Sequence, residues 1–296
     1  MNYLEKHPMI MIVIGVIGIS LSAIFVKYSP APSVVTAAYR LLWTVALMAP
    51  VVLGSKARRK ELFQTNKKTT LLCAVSGIFL ALHLVLWFES LQHTSVASST
   101  TIVCTEVIWV ALGFCLFLGG RISGRAALAI AITVLGSVLI AWSDSASGGN
   151  HLYGDILALI AAISTAIYTL IGQKARRNTS NTIYTFIVYT FCAATLLIIT
   201  LAQGHSLTGH GASSVIVGLL LAVFSTILGH SIFSWCLKFL SPAFVSASKL
   251  CEPVVAAVFA MFLFGEIPGI MQVIGGAVIL GGVLFYSQVE QADSPS

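Results

Sequence analysis

A chain of 296 residues in which 57% are hydrophobic and only 9% are charged, with a mean hydropathy of +0.96, does not describe a soluble domain. It reads as an all-α integral membrane protein, and its net charge of +6 comes with no folded soluble basic surface to bind nucleic acid. Crossing about 30 Å of hydrocarbon takes roughly 20 apolar helical residues. Ten stretches meet that need, near residues 8–27, 33–53, 69–91, 96–118, 126–142, 154–173, 182–202, 214–238, 243–264 and 269–288.

Span one lacks a small-x-small cleavage site before the next span, so we read it as retained rather than as a secretory signal. Its Gly15, Gly18 and Ser22 make a small face on which a helix can pack or slide. In span two, Arg40 lies about two turns from the outer end, where it can snorkel to the interface or reach Glu89 near the outer end of span three. Such an Arg40–Glu89 pair is either structural or an outer gate that breaks on opening. Trp43 here and Trp142 in span five read as interfacial or lipid-facing. Span three lines up Ser76, His83, Trp87 and Ser90 on one face. His83 is there either as a proton relay or as a hydrogen-bonded packing residue.

Span four places Ser98, Thr101, Thr105 and Trp109 on one helical face, with Glu106 at its edge. The hydroxyls are either glue between helices or the lining of a cavity. For Glu106 we favour the cavity, because a carboxylate in hydrocarbon costs several kcal/mol and is seldom placed there without a polar function. Spans five and ten repeat small residues every four positions, at Ala129, Thr133, Ser137 and Ala141 and at Ala277 and Gly281, for packing within the bundle or against a second subunit. Asp155 opens span six and reads as a helix cap, while Tyr168 farther along joins Trp87 and Trp109 as a candidate aromatic cavity wall. Span eight aligns Thr226, His230 and Ser234, and His230 carries the same two readings as His83.

Span nine puts Ser241, Ser248 and Glu252 on one face, with Lys249 one turn before Glu252. The two charges either neutralise each other as a structural pair, or Lys249 takes a substrate carboxylate or phosphate while a glutamate holds an amine or a proton. Pro253 removes a backbone donor and frees a carbonyl near mid-membrane. The six cysteines lie within apolar spans at no metal-ligand spacing and read as small packing residues.

Lys and Arg gather in alternate loops: Lys56, Arg58, Arg59, Lys60, Lys67 and Lys68 after span two, Arg121 and Arg125 after span four, Lys174, Arg176 and Arg177 after span six, and Lys238 after span eight. Basic loops stay on the cytoplasmic side, which puts both termini there, in the inner or plasma membrane. The chain also repeats: at an offset of 146, Glu106 falls on Glu252, Ser95 on Ser241, Ala97 on Ala243, Gly119 on Gly265 and Gly136 on Gly282, with His83 and His230 slipping by one. Halves of five spans each, residues 1–143 and 144–296, enter the membrane with opposite orientation, an arrangement recurrent in secondary transporters with the site near mid-membrane.

Ser22-Ala-Ile-Phe-Val-Lys27, Tyr39-Arg40-Leu41, Trp87-Phe88, Thr94-Ser-Val-Ala-Ser98, Gly154-Asp155, Glu252-Pro253 and Phe264-Gly265-Glu266, in that order, make the whole chain resemble the ten-span EamA (RhaT-like) family of the drug/metabolite transporter superfamily. The resemblance implies two inverted five-helix halves, a central cavity lined mainly by helices one, three, four, six, eight and nine, peripheral helices five and ten, alternating access, and substrates among amino acids, other metabolites and drugs. The chain departs from the family pattern where Val107 rather than proline follows Glu106, so any helix break should be weaker in span four than in span nine. It departs again where Gly119-Gly120-Arg121 stands against Gly265-Glu266-Ile267.

No phosphate-cradling glycine loop, metal-spaced cluster or nucleophile elbow appears, so neither an enzyme nor a cofactor is expected. The expectation is a secondary transporter, a proton-linked exporter of amino-acid-like or other small metabolites, acting as monomer or homodimer with substrate, protons and lipid as its partners. The alternatives are a facilitative uniporter or exchanger for a cationic or amphipathic metabolite or drug, and a non-transporting membrane scaffold. Glu106, with no cation near it on its own helix, is the better candidate of the two glutamates for proton or substrate binding.

Overall fold

The computed structural model describes residues 8–118, 123–146, 151–176, 179–229, 232 and 251–293. Lys249, His230, Ser234, Ser241 and Ser248, together with the Gly119-Gly120-Arg121 stretch, lie outside the described residues. Among the described residues twelve α-helices follow in chain order: α1 (Pro8–Lys27), α2 (Ser33–Leu53), α3 (Lys56–Gln64), α4 (Lys67–His93), α5 (Val96–Val103), α6 (Glu106–Leu118), α7 (Gly124–Ala146), α8 (His151–Ala175), α9 (Asn181–Ala202), α10 (Gly211–Leu220), α11 (Glu252–Phe264) and α12 (Ile270–Asp293). A π-helical segment, Leu221–Gly229, continues α10. Among the described residues six helices are long and apolar enough to cross a membrane, and shorter apolar helices cover Val96–Val110, Gly124–Ile140, Glu252–Phe264 and Ile270–Tyr286.

The short α3 forms within what reads from sequence as a basic loop. The side chain of Ser55 accepts from the Arg58 N–H to start it, and Glu61 on it accepts from the N–H and hydroxyl of Ser180 at 2.7 and 2.9 Å. The loop after α2 and the start of α9 therefore share one end of the bundle, as the charge pattern requires. The core gathers around Leu41, Phe88, Leu91, Ile183 and Leu196, where α2, α4 and α9 meet, and α4 also packs along α8. α1 lies against the π segment and α11, so the N-terminal helix touches the C-terminal half directly.

α7 and α12 pack along each other. A Cβ on Gly136 would sit 2.9 Å from the Gly275 carbonyl oxygen, and one on Gly275 2.9 Å from the Gly136 oxygen, so only glycine permits this approach. On α12 it is Gly275 and Gly282 that meet α7, in place of the expected Ala277 and Gly281; Gly281 faces open space. On the other sides of the pair, Leu135, Trp142, Ile270 and Val273 are exposed, an apolar face suited to lipid.

Two local expectations are corrected, and a third feature, the break in span four, has a cause of its own. Asp155 is not a cap: α8 starts four residues earlier, at His151, and buried Asp155 accepts from the Thr94 hydroxyl at 2.9 Å across to the end of α4. Trp43 is half-buried and donates its indole N–H to the Val215 carbonyl at 3.2 Å, docking α2 on α10 rather than facing lipid. Span four is broken despite having no proline, with Cys104 and Thr105 forming a turn between α5 and α6. The hydroxyls of Thr100, Thr101 and Thr105 bond back to the carbonyls of Val96, Ala97 and Ile102 at 2.6, 2.6 and 2.7 Å. The Thr105 and Ile108 amides then bond three residues back, at 3.0 and 2.9 Å. Hydroxyls competing for main-chain carbonyls bend a helix, and three within six residues tighten this one into a break.

Candidate functional site

Arg40 anchors the interior. It is 7% exposed, and it neither snorkels nor bonds to Glu89. Its Nε donates to the Thr226 hydroxyl at 3.0 Å and its Nη1 to the Ser22 hydroxyl at 3.3 Å, and its guanidinium lies 5.9 Å from the centre of the Phe88 ring. Ser22 comes from α1, Thr226 from the π segment and Phe88 from α4, so one cation gathers four elements. The π register is part of the arrangement: the Thr226 hydroxyl bonds the Leu221 carbonyl five residues back, at 3.4 Å, and its oxygen stays available to Arg40. Glu252 acts on Arg40 through space.

Glu106 and Glu252 occupy the same local position: each is the first residue of its helix, α6 or α11, directly after a residue in a turn. A helix start carries unsatisfied N–H groups and the positive end of the macrodipole, which favours the ionised carboxylate. Cys104, in the turn before α6, lies in the field of both acids, and Tyr168 lies in that of Glu106. Ser20 of α1 donates to the Glu252 carbonyl at 3.3 Å, which brings α1 to the start of α11. Each acid also has further interactions within the structure.

His83 and Trp87 stack at 5.8 Å with their planes 21° apart, and Phe88 leans on Trp87 at 5.5 Å. His83 Nδ1 lies 3.0 Å from the Ala161 carbonyl of α8. A carbonyl only accepts, so Nδ1 carries the proton and Nε2 of the neutral ring is an acceptor. Trp87 is 6% exposed, and its buried indole N–H has no hydrogen-bond partner among the described residues. The rest of the span-three face serves packing: Ser76 donates to the Tyr168 carbonyl at 3.2 Å, and Ser90 and Ser99 share a bond of 2.6 Å.

Span four does not point one way. Ser98 accepts from Gln272 of α12 at 3.1 Å, which is glue between helices. Trp109 donates to Thr105 at 3.3 Å, and both line a largely apolar cleft of about 230 Å³ with Ile108, Thr133, Leu152 and Asp155. The exposed side chains of Val134, Val138 and Ile156 edge that cleft, so it opens toward the surface that meets lipid, and Trp109 does not share a wall with Trp87. Glu89 pairs with His93, four residues on in α4, at 3.2 Å.

The ion pair that joins distant parts of the chain went unnoticed in the sequence. Lys27 at the end of α1 pairs with Glu266, which follows the left-handed Gly265 closing α11. Both residues lie within stretches that carry the family resemblance, but only the fold reveals that they meet.

The chain matches the EamA-like transporter family over residues 7–142 and again over 152–288. It is 23% identical over 259 residues to an uncharacterized transporter of Clostridium kluyveri, covering 86% of this chain and 83% of the relative. It is 24% identical to the uncharacterized transporter YxxF of Bacillus subtilis, covering 94% and 87%. It is 25% identical over 218 residues to the pseudopaline exporter CntI of Pseudomonas aeruginosa, covering 73% and 75%. A crystal structure matches 98% of this chain and 99% of its own length with a TM-score of 0.61 and 14% identity, which shows the fold alone.

Proposed function

The chain belongs to the EamA-like transporter family of the drug/metabolite transporter superfamily, and from that premise we propose that it exports amino-acid-like or other small metabolites in exchange for protons. Two inverted halves, residues 1–143 and 144–296, would alternate access to a shared site in the cell membrane, with both termini cytoplasmic. The observation that carries the reading is the matched placement of Glu106 and Glu252, each opening a helix after a turn residue and both lying in reach of Cys104. Two acids near one another in a bundle can pass protonation between opposite faces while the helix starts hold the ionised form.

Arg40 supports the substrate class. It is a buried guanidinium that donates to two neutral hydroxyls, and on the helix that carries Phe88 the Trp87 indole has no hydrogen-bond partner among the described residues. A substrate carboxylate there would meet a planar cation and an N–H donor, while a glutamate takes its amine. The likeness to a pseudopaline exporter supports the outward direction.

The test is flux into liposomes driven by a pH gradient alone. The parent protein accumulates substrate, and Glu106→Gln and Glu252→Gln each lose at least about tenfold of the gradient-driven rate, as expected of acids placed at an intramembrane proton path. Normal transport by both variants with unchanged pH dependence would remove the coupling and leave facilitated exchange as the activity.

A further inference from the structure

Three segments meet at the end of the bundle that holds Lys27. Gly265, in the left-handed conformation at φ +67, turns the chain sharply out of α11 and presents Glu266. The Glu266 carboxylate uses both oxygens: Oε1 takes the Lys27 ammonium, and Oε2 accepts from the Val96 backbone N–H at 2.9 Å. Lys27 also lies 5.7 Å over the Phe264 ring, which packs 5.1 Å from that of Tyr28.

Val96 is the first residue of α5, and its N–H is one of the donors that a helix start leaves without an intrahelical partner. The Ser95 hydroxyl accepts only from Ser98, so the cap of α5 is completed by a carboxylate from beyond α11. That cap forms only while the end of α11 is seated against α1 and α5. The side chains are 19% and 25% exposed, half-withdrawn from water but reachable by it.

We propose that Lys27, Glu266 and the Val96 amide form a latch that shuts the pathway at this end of the bundle, and that the repeat-related positions do not encode a matching pair. At the offset relating Glu106 to Glu252, Glu266 corresponds to Gly120, which is followed by Arg121; at the one-residue-longer offset relating His83 to His230, Lys27 corresponds to Lys174. At the corresponding positions the sequence sets a glycine against Glu266 and a lysine against Lys27, so the ion pair is not repeated. The two ends therefore close with unequal strength, and the resting protein favours the state shut at the Lys27 end. This inference rests on the alternating-access reading.

The test follows access to the interior. In the full-length chain with its native cysteines replaced by alanine, Ser22→Cys reports, through reaction with a membrane-impermeant maleimide, whether the Arg40 region is open to a given side. Labelling from the Lys27 side is slow in this parent. Lys27→Ala and Glu266→Gln each speed it about fivefold, in keeping with the loss of a partly exposed, hydrogen-bonded ion pair. Lys27→Arg labels at the parent rate. Val96→Pro deletes the amide donor at a helix position that accepts proline and leaves the charges in place; it gives a smaller rise in the same direction and serves where a charge variant fails to fold. Raised salt speeds the parent and leaves Lys27→Ala unchanged. Equal rates in parent and variants, with Ser22→Cys labelled from the other side, overturn the latch alone. No labelling from either side in any variant overturns the pathway past Ser22 and the latch with it.

Discussion

A guanidinium 7% exposed inside a membrane bundle needs its charge answered close by, and Arg40 finds that answer in two hydroxyls, an aromatic face and the field of Glu252. The fork geometry matters as much as the charge: Nε reaches Thr226 on one helix while Nη1 reaches Ser22 on another. A lysine has one ammonium and no fork, so it cannot hold both hydroxyls and stay over Phe88. Arg40→Lys is therefore expected to raise the apparent KM for a carboxylate substrate by about tenfold, the loss of one or two charge-assisted hydrogen bonds, with folding retained. Flux at varied substrate concentration reads the change, and an unaltered KM would remove Arg40 from the binding site. From the sequence Arg40 could be placed two turns inside span two, but its rotation toward Ser22 and Thr226 instead of Glu89 depends on α1 and on a segment 186 residues away.

The break before Glu106 is an element-scale feature with a local cause that the sequence contains. Weighing only the missing proline at Val107 predicts a weaker interruption, whereas the run from Ser98 to Thr105 supplies hydroxyls that compete for the main-chain carbonyls. Thr105→Val removes the bond to the Ile102 carbonyl and the acceptor for Trp109 while keeping the β-branched shape. A more continuous helix follows, which carries Glu106 away from a helix start; transport is expected to fall several-fold, with a thermal midpoint equal to or above the parent's. Parallel flux and thermal-unfolding measurements separate this from simple destabilisation, and undiminished flux would show that the break is not needed. The π segment has no such local signature: Thr226 is visible as a polar residue in span eight, but its i−5 bonding register appears only in three dimensions.

At the scale of the whole molecule, the α7–α12 seam joins the last helix of each family-matched stretch, through backbones brought together by Gly136 and Gly275. Gly275→Val forces carbon against the Gly136 carbonyl and Ile140, at an expected cost of about 1–3 kcal/mol from overpacking. A lowered thermal midpoint in detergent checks it, and an unchanged midpoint would mean that the seam opens freely. Gly281→Ala, at a position with nothing near, is the matched control.

The sequence by itself determined the membrane class and the positions of six apolar spans, and it carries the run of basic loops and the acids at a constant offset, because hydropathy, charge and period are written residue by residue along the chain. The ends of α1, α2 and α9 fall within a residue of where those patterns place them. Only the tertiary structure decided which polar groups meet. Arg40 turns inward to Ser22 and Thr226, Trp109 faces a cleft apart from Trp87, Asp155 holds the end of α4, and Lys27 closes on Glu266. The physical reason is that lipid tails match an apolar helix surface whichever way it faces, so rotation and partner choice come from close packing and hydrogen bonds between helices far apart in sequence.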